Sequence, residues 1–94
     1  MYAVIRRYTH TPQLFDELVR RQADVKQLIE GVPGFVSYYL VGSSDSGGGA
    51  SITVCHDQAG TTESSRVGRE WVLQNVPAST SSPEVIEGEV LFSF

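Results

Sequence analysis

The chain has 94 residues, 40% hydrophobic and 19% charged, with a net charge of −4. That composition excludes disorder, and the length sets a single domain, residues 1–94, that buries only about 60–65% of its unfolded surface. The acidic balance argues against nucleic acid or an anionic membrane surface as partner, and no apolar run approaches the roughly 20 residues of a bilayer span.

Residues 2–8 are rich in β-branched and aromatic side chains and read as a first strand. Thr11 then offers an N-cap, with Pro12 at the first helical position, where its missing N–H does no harm. A first helix follows over residues 12–30. Leu14, Leu18, Val25, Leu28 and Ile29 fall at helical spacing, and Asp16, Glu17, Arg20, Arg21, Asp24 and Lys26 supply a wet face. Gly31 and Pro33 end it. Residues 35–41 form a second strand, and the Gly-, Ser- and Asp-only stretch 42–49 a long, flexible hairpin connection. A third strand covers 50–56. Asp57 is placed to cap a second helix over about 58–76, whose stripe of Val67, Trp71 and Val72 is weak and whose Gly60, Gly68 and serines lower its propensity. A turn-rich linker, 77–83, leads to a fourth strand over 84–94. There Ile86, Val90, Phe92 and Phe94 alternate against Glu87, Glu89 and Ser93, so that the acidic residues read as a solvated face.

The order strand, helix, strand, strand, helix, strand is the ferredoxin-like βαββαβ pattern, an α+β fold with a four-stranded antiparallel sheet and two helices on one face. The first two strands offer apolar groups on both sides: Tyr2, Val4 and Tyr8 against Ala3 and Ile5, and Phe35, Tyr39 and Val41 against Val36, Tyr38 and Leu40. A sheet apolar on both faces needs cover on both, which a two-fold homodimer packing sheet on sheet supplies. Ser37, Thr53, Glu87 and Glu89 keep a monomer with one wet face as the alternative. The single Cys55 excludes an internal disulfide, and the N-terminus lacks the basic and apolar regions of a secretory signal, so a cytoplasmic protein is expected.

The run Gly31-Val32-Pro33-Gly34-Phe35-Val36-Ser37-Tyr38-Tyr39-Leu40 after an amphipathic helix resembles the antibiotic biosynthesis monooxygenase-like family of the dimeric α+β barrel superfamily. The resemblance implies a homodimer with facing sheets, and in each subunit a pocket between helices and sheet. It also implies a range of activities, from oxidation of aromatic polyketides with no metal or flavin cofactor to haem degradation. The cofactor-free oxygenases present an Asn one turn before a Trp on the second helix. Here Val67 precedes Trp71, and Asn75 lies one turn after it. The second helix contains no His, which argues against haem ligation of the kind found in the haem-degrading members.

Trp71 and Asn75, four apart, share a helix face, so Trp71 is a candidate to stack on an aromatic ligand and Asn75 to hydrogen-bond its oxygen. The structural alternative makes Trp71 a core anchor and Asn75 a frayed helix end. His56, at the end of the third strand beside Asp57, is a candidate general base, or simply a strand-end residue. Tyr38 and Tyr39 point to opposite faces, and one of them lines the pocket. Of Arg6 and Arg7, one is free to face inward and pair with a fourth-strand Glu or a ligand carboxylate. Cys55 reads as a small buried hydrophobe, His10 as an inert turn residue, and Gly47 to Gly49 as a hairpin tip rather than a phosphate loop. No cluster has metal-ligand spacing, so neither metal nor cofactor is expected. Two functions remain open: cofactor-independent oxygenation of a phenolic or quinone-like compound, with His56 and Asn75 catalytic and Trp71 and Tyr38 binding, or a non-catalytic dimeric module for a small aromatic ligand or a partner.

Overall fold

The alternating strand patterns and the helical stripes resolve, in a computed structural model describing residues 1–9, 11–43, 47–76 and 82–94, into seven elements. In chain order they are β1 (Tyr2–Tyr8), α1 (Pro12–Arg20), α2 (Gln22–Glu30), β2 (Phe35–Gly42), β3 (Gly49–Cys55), α3 (Gln58–Asn75) and β4 (Glu84–Glu89). The strands form one antiparallel sheet in the order β2-β3-β1-β4. This is the expected ferredoxin-like arrangement. The readings of His10, the hairpin tip 44–46 and linker residues 77–81 lie outside the described residues. Among the described residues, no helix is long and apolar enough to cross a membrane.

Leu14, Phe15, Leu18, Val25, Ile29 and Val76 form the core between helices and sheet, with Tyr8, Phe35, Tyr38, Leu40 and Trp71 packed against them. Three details differ from the sequence reading. The first helix is two helices, broken at Arg21 (φ −111°, ψ 33°), although the apolar periodicity runs through the break. In β2 the register shifts between Phe35 and Ser37, an irregularity that adds one residue and reverses the parity of the side chains beyond it. Phe35 therefore shares the helix-side face with Tyr38 and Leu40, while Tyr39 and Val41 point away. Finally, β4 stops at Glu89, because β1 offers it no partner beyond Tyr2. Val90 makes one more bond, its N–H to the Met1 carbonyl at 2.8 Å, and Leu91, Phe92 and Phe94 are left exposed.

Both expected caps are in position, Thr11 before α1 and Asp57 before α3, but neither side chain makes a cap hydrogen bond. Thr11 has φ −128° and ψ 55°, away from the extended geometry that aims a capping oxygen. A close approach requires glycine at Gly60, in the first turn of α3. A Cβ there would lie 2.2 Å from the Pro33 carbonyl oxygen and 2.7 Å from Cys55 Cβ. The glycine that weakens α3 as a helix is what lets its first turn close onto the β2 approach and the end of β3.

The two sheet faces divide polarity in an unexpected sense. Arg6, Ser51 and Thr53 are buried and point toward the helices. The helix-free face carries Ile5 opposite both Ile52 and Ile86, Ala3 opposite Val54, and Tyr39 and Val41 on β2. Thr53, which the sequence reading placed among residues favouring a wet second face, is fully buried on the other side. Glu87 likewise projects toward the helix side, where it accepts a hydrogen bond from Thr61 at 2.7 Å, so the acidic strand face is not purely a solvated one.

Candidate functional site

Between the helices and the sheet lies a cavity of about 580 Å³. The sheet contributes Arg6 and Tyr8 from β1, Tyr38 from β2 and Ser51 from β3. The first two helices contribute Leu14, Leu18, Val25 and Ile29, and α3 contributes Ser64, Ser65, Gly68, Trp71 and Val72. The α3 residues recur at helical spacing, so one stripe of that helix faces the cavity. An adjoining cavity of about 440 Å³ on the α2 side shares Leu18, Val25, Ile29 and Tyr38 with it.

Arg6 dominates the chemistry of this space. It is only 9% exposed. One terminal nitrogen donates to Ser51 Oγ and Thr53 Oγ1, both at 3.2 Å, and the other to Ser64 Oγ at 2.8 Å and Ser65 Oγ at 3.0 Å. These four hydroxyls hold the guanidinium between sheet and α3, yet none of them carries a negative charge. Among the described residues Arg6 forms no ion pair. Glu87 acts on it only through space, its carboxylate being engaged by Thr61. Burial pulls the guanidinium below its ordinary value, and arginine nevertheless stays charged. Ser64 donates its own hydroxyl hydrogen bond to the Thr61 carbonyl at 2.7 Å. Ser65, which lines the cavity, has no such acceptor among the described residues.

Tyr8 and Tyr38 face the same space. Burial pushes both phenols above their ordinary value, and Arg6 partly opposes the rise, as does the Ser51 hydroxyl at Tyr38. Both are therefore neutral hydrogen-bonding groups near neutral pH. Trp71 is fixed from behind: the Arg21 guanidinium lies 5.2 Å from its ring centre. Arg21 in turn donates to Asn75 Oδ1 at 2.7 Å, and Asn75 Nδ2 donates to the Trp71 carbonyl at 2.8 Å. The helix break thus places Arg21, expected on the wet face, over the cavity's tryptophan.

Of the four sequence-derived site residues, Tyr38 and Trp71 come together on the cavity wall. Asn75 lies behind Trp71, with its amide committed to Arg21 and to its own helix. His56 is exposed at the end of β3, where its backbone N–H donates to the Gly34 carbonyl at 2.8 Å, and it is not part of the cavity lining. Cys55 is a free thiol with 0% exposure, pushed up chiefly by burial. Arg6 is the inward-facing member of the arginine pair, bound by hydroxyls rather than by a β4 carboxylate. Sequence reasoning passed over Ser64, Ser65 and Gly68 as weak helix formers; their spacing with Trp71 and Val72 was the available signal. Among the described residues, no three His, Cys, Asp or Glu side chains are grouped to hold a metal ion.

No family model and no curated protein matches the sequence. Solved structures do match over nearly the whole chain. A protein of unknown function from Nitrosomonas europaea, NE2512, is 17% identical with a TM-score of 0.74, covering 99% of this chain and 91% of its own. Rv0793 from Mycobacterium tuberculosis is 19% identical with a TM-score of 0.71, over 98% of this chain and 96% of its own. The monooxygenase ActVA-Orf6 of Streptomyces coelicolor, solved with the ligand nanaomycin D, is 22% identical with a TM-score of 0.60, over 98% and 91%. These likenesses are of fold. The chain shares its ferredoxin-like α+β architecture with these proteins.

Proposed function

We propose that the protein is a homodimer that binds an aromatic, phenolic or quinone-like small molecule in the 580 Å³ cavity and oxygenates it without a cofactor. The observation that carries this reading is Arg6: a buried cation, held only by neutral hydroxyls, at the inner end of a cavity that also contains Tyr38 and Trp71. A cation in that setting favours the ionised form of a phenol bound beside it. Ser65 and neutral Tyr38 supply hydrogen bonds to the oxyanion, and the walls exclude water. An electron-rich phenolate reacts with oxygen directly. One oxygen atom enters the ring as a quinone carbonyl, the other leaves as water, and the substrate supplies all four electrons. The fold likeness to a monooxygenase with a bound small molecule supports the same reading.

A second reading is favoured by the position of His56 and Asn75 outside the cavity lining: a dimer that binds the same class of ligand without turning it over. Oxygen uptake with 1,5-dihydroxynaphthalene as probe separates the two. Catalysis predicts one oxygen consumed and one hydroxynaphthoquinone formed per substrate, slowed at least tenfold in Tyr38→Phe or Trp71→Ala. Saturable binding with uptake no faster than without protein establishes the second reading instead.

A further inference from the structure

Among the described residues the cavity has two charged lining residues, Arg6 and Arg69, and both are cationic in a chain of net charge −4. Arg69 is exposed, as are Leu73 and Ser82, which also line the cavity, so these residues form its rim. Arg69 stands one helical turn beyond Ser65, on the face of α3 that carries the Arg6 contacts. The other arginine of α3 behaves differently. Arg66 is paired with Glu63 at 2.6 Å and Glu70 at 3.0 Å, which engages both acidic side chains of that helix. Arg69 has no hydrogen bond or ion pair among the described residues. The fold therefore neutralises the arginine that points away and leaves uncompensated the one at the cavity mouth.

Resting on the binding reading above, we infer that the ligand is a hydroxy-aromatic acid, whose carboxylate sits at the rim against Arg69 while its phenolic oxygen lies at the Arg6–Ser65 end. One helical turn, about 5.4 Å, separates the two anchoring positions on α3, and the reach of the arginine side chain adds to it. A ring system bearing its oxygen and its carboxylate at opposite ends matches that span; one with adjacent groups does not. Arg69 is then a specificity residue for the acid group. Because it is exposed, its attraction is screened by salt, whereas the interaction at Arg6 is screened much less.

Calorimetric titration with 6-hydroxy-2-naphthoate and its neutral counterpart 6-hydroxy-2-naphthamide tests this. The acid is expected to bind at least tenfold more tightly than the amide at low salt, with the advantage shrinking as salt is raised. Arg69→Gln, an exposed change that leaves the fold intact, is expected to abolish most of the preference while leaving amide affinity within about twofold. Equal affinity of the two ligands, or an equal loss of both in Arg69→Gln, overturns the inference and leaves the cavity reading standing. Failure of both ligands to bind the unaltered protein overturns the inference and the cavity reading together.

Discussion

At the scale of single residues, the site depends on side chains whose local preferences are poor. Gly68 sits mid-helix, where glycine is about 1 kcal/mol less favourable than alanine, yet a Cβ there would meet nothing within 4 Å. The open space is the cavity itself. Gly68→Leu is expected to hold or raise stability by about 0.5–1 kcal/mol in urea unfolding and to weaken naphthoate binding at least tenfold. Unchanged affinity would place the ligand elsewhere. The buried phenols and thiol give a second prediction. Burial raises Tyr8 and Tyr38 above 10 and Cys55 above 9, so the folded chain holds these protons more tightly than the unfolded chain does. Their contribution is fully present below the unfolded values and is lost as pH rises through the folded ones. Urea midpoints should therefore fall from about pH 9 upward, and less steeply in Tyr38→Phe. A midpoint that does not fall across that range would show that these groups are not buried in solution. Tyr38 and Trp71 were legible as residues of the gap between helices and sheet because aromatic groups on a strand and a helix of this fold converge there. The role of Arg6 was half legible. Parity offered Arg6 or Arg7, and only the register with Ser51 settles which one turns inward.

At the scale of elements, contacts between segments decide what periodicity leaves open. The helix stripe from Leu14 to Ile29 reads as continuous, and the break at Arg21 is invisible in it because the apolar residues keep their spacing on either side. What stabilises the break is remote: Trp71 and Asn75 of α3 receive the Arg21 side chain. The β2 irregularity has the same character, since counting alternate residues presumes an unbroken register. The close approach of α3 to the turn before β2 is testable. Gly60→Ala puts a methyl group within 2.2 Å of the Pro33 carbonyl, and the first turn of the helix has no room to yield. It is expected to destabilise the protein by about 1–3 kcal/mol, read as a lower urea midpoint, despite alanine's better helix propensity. A stabilised variant would mean that the two segments are not packed together.

At the scale of the whole molecule, the sheet turns Arg6, Ser51 and Thr53 toward its own helices and its isoleucines away from them, with Arg7 and Ser37 among the polar members of the far face. Ile86 is 71% exposed, Tyr39 57% and Val41 52% on a face that no helix among the described residues covers, and Leu91, Phe92 and Phe94 extend exposed beyond β4. An apolar surface of this kind marks an interaction site. The βαββαβ order and the sheet's need for cover were legible in the sequence; the direction of each strand's polar residues was not, because period-two alternation fixes two faces without saying which one the helices take. In the proposed homodimer the same orientation links assembly to chemistry: the face bearing Arg6 lines the cavity, and the face bearing the isoleucines receives the second copy. The most direct test is native mass spectrometry of freshly purified protein at micromolar concentration, checked by sedimentation equilibrium. The expected result is a species of two chains carrying small-molecule mass of up to one aromatic acid per chain. A species of one chain at that concentration would contradict the account.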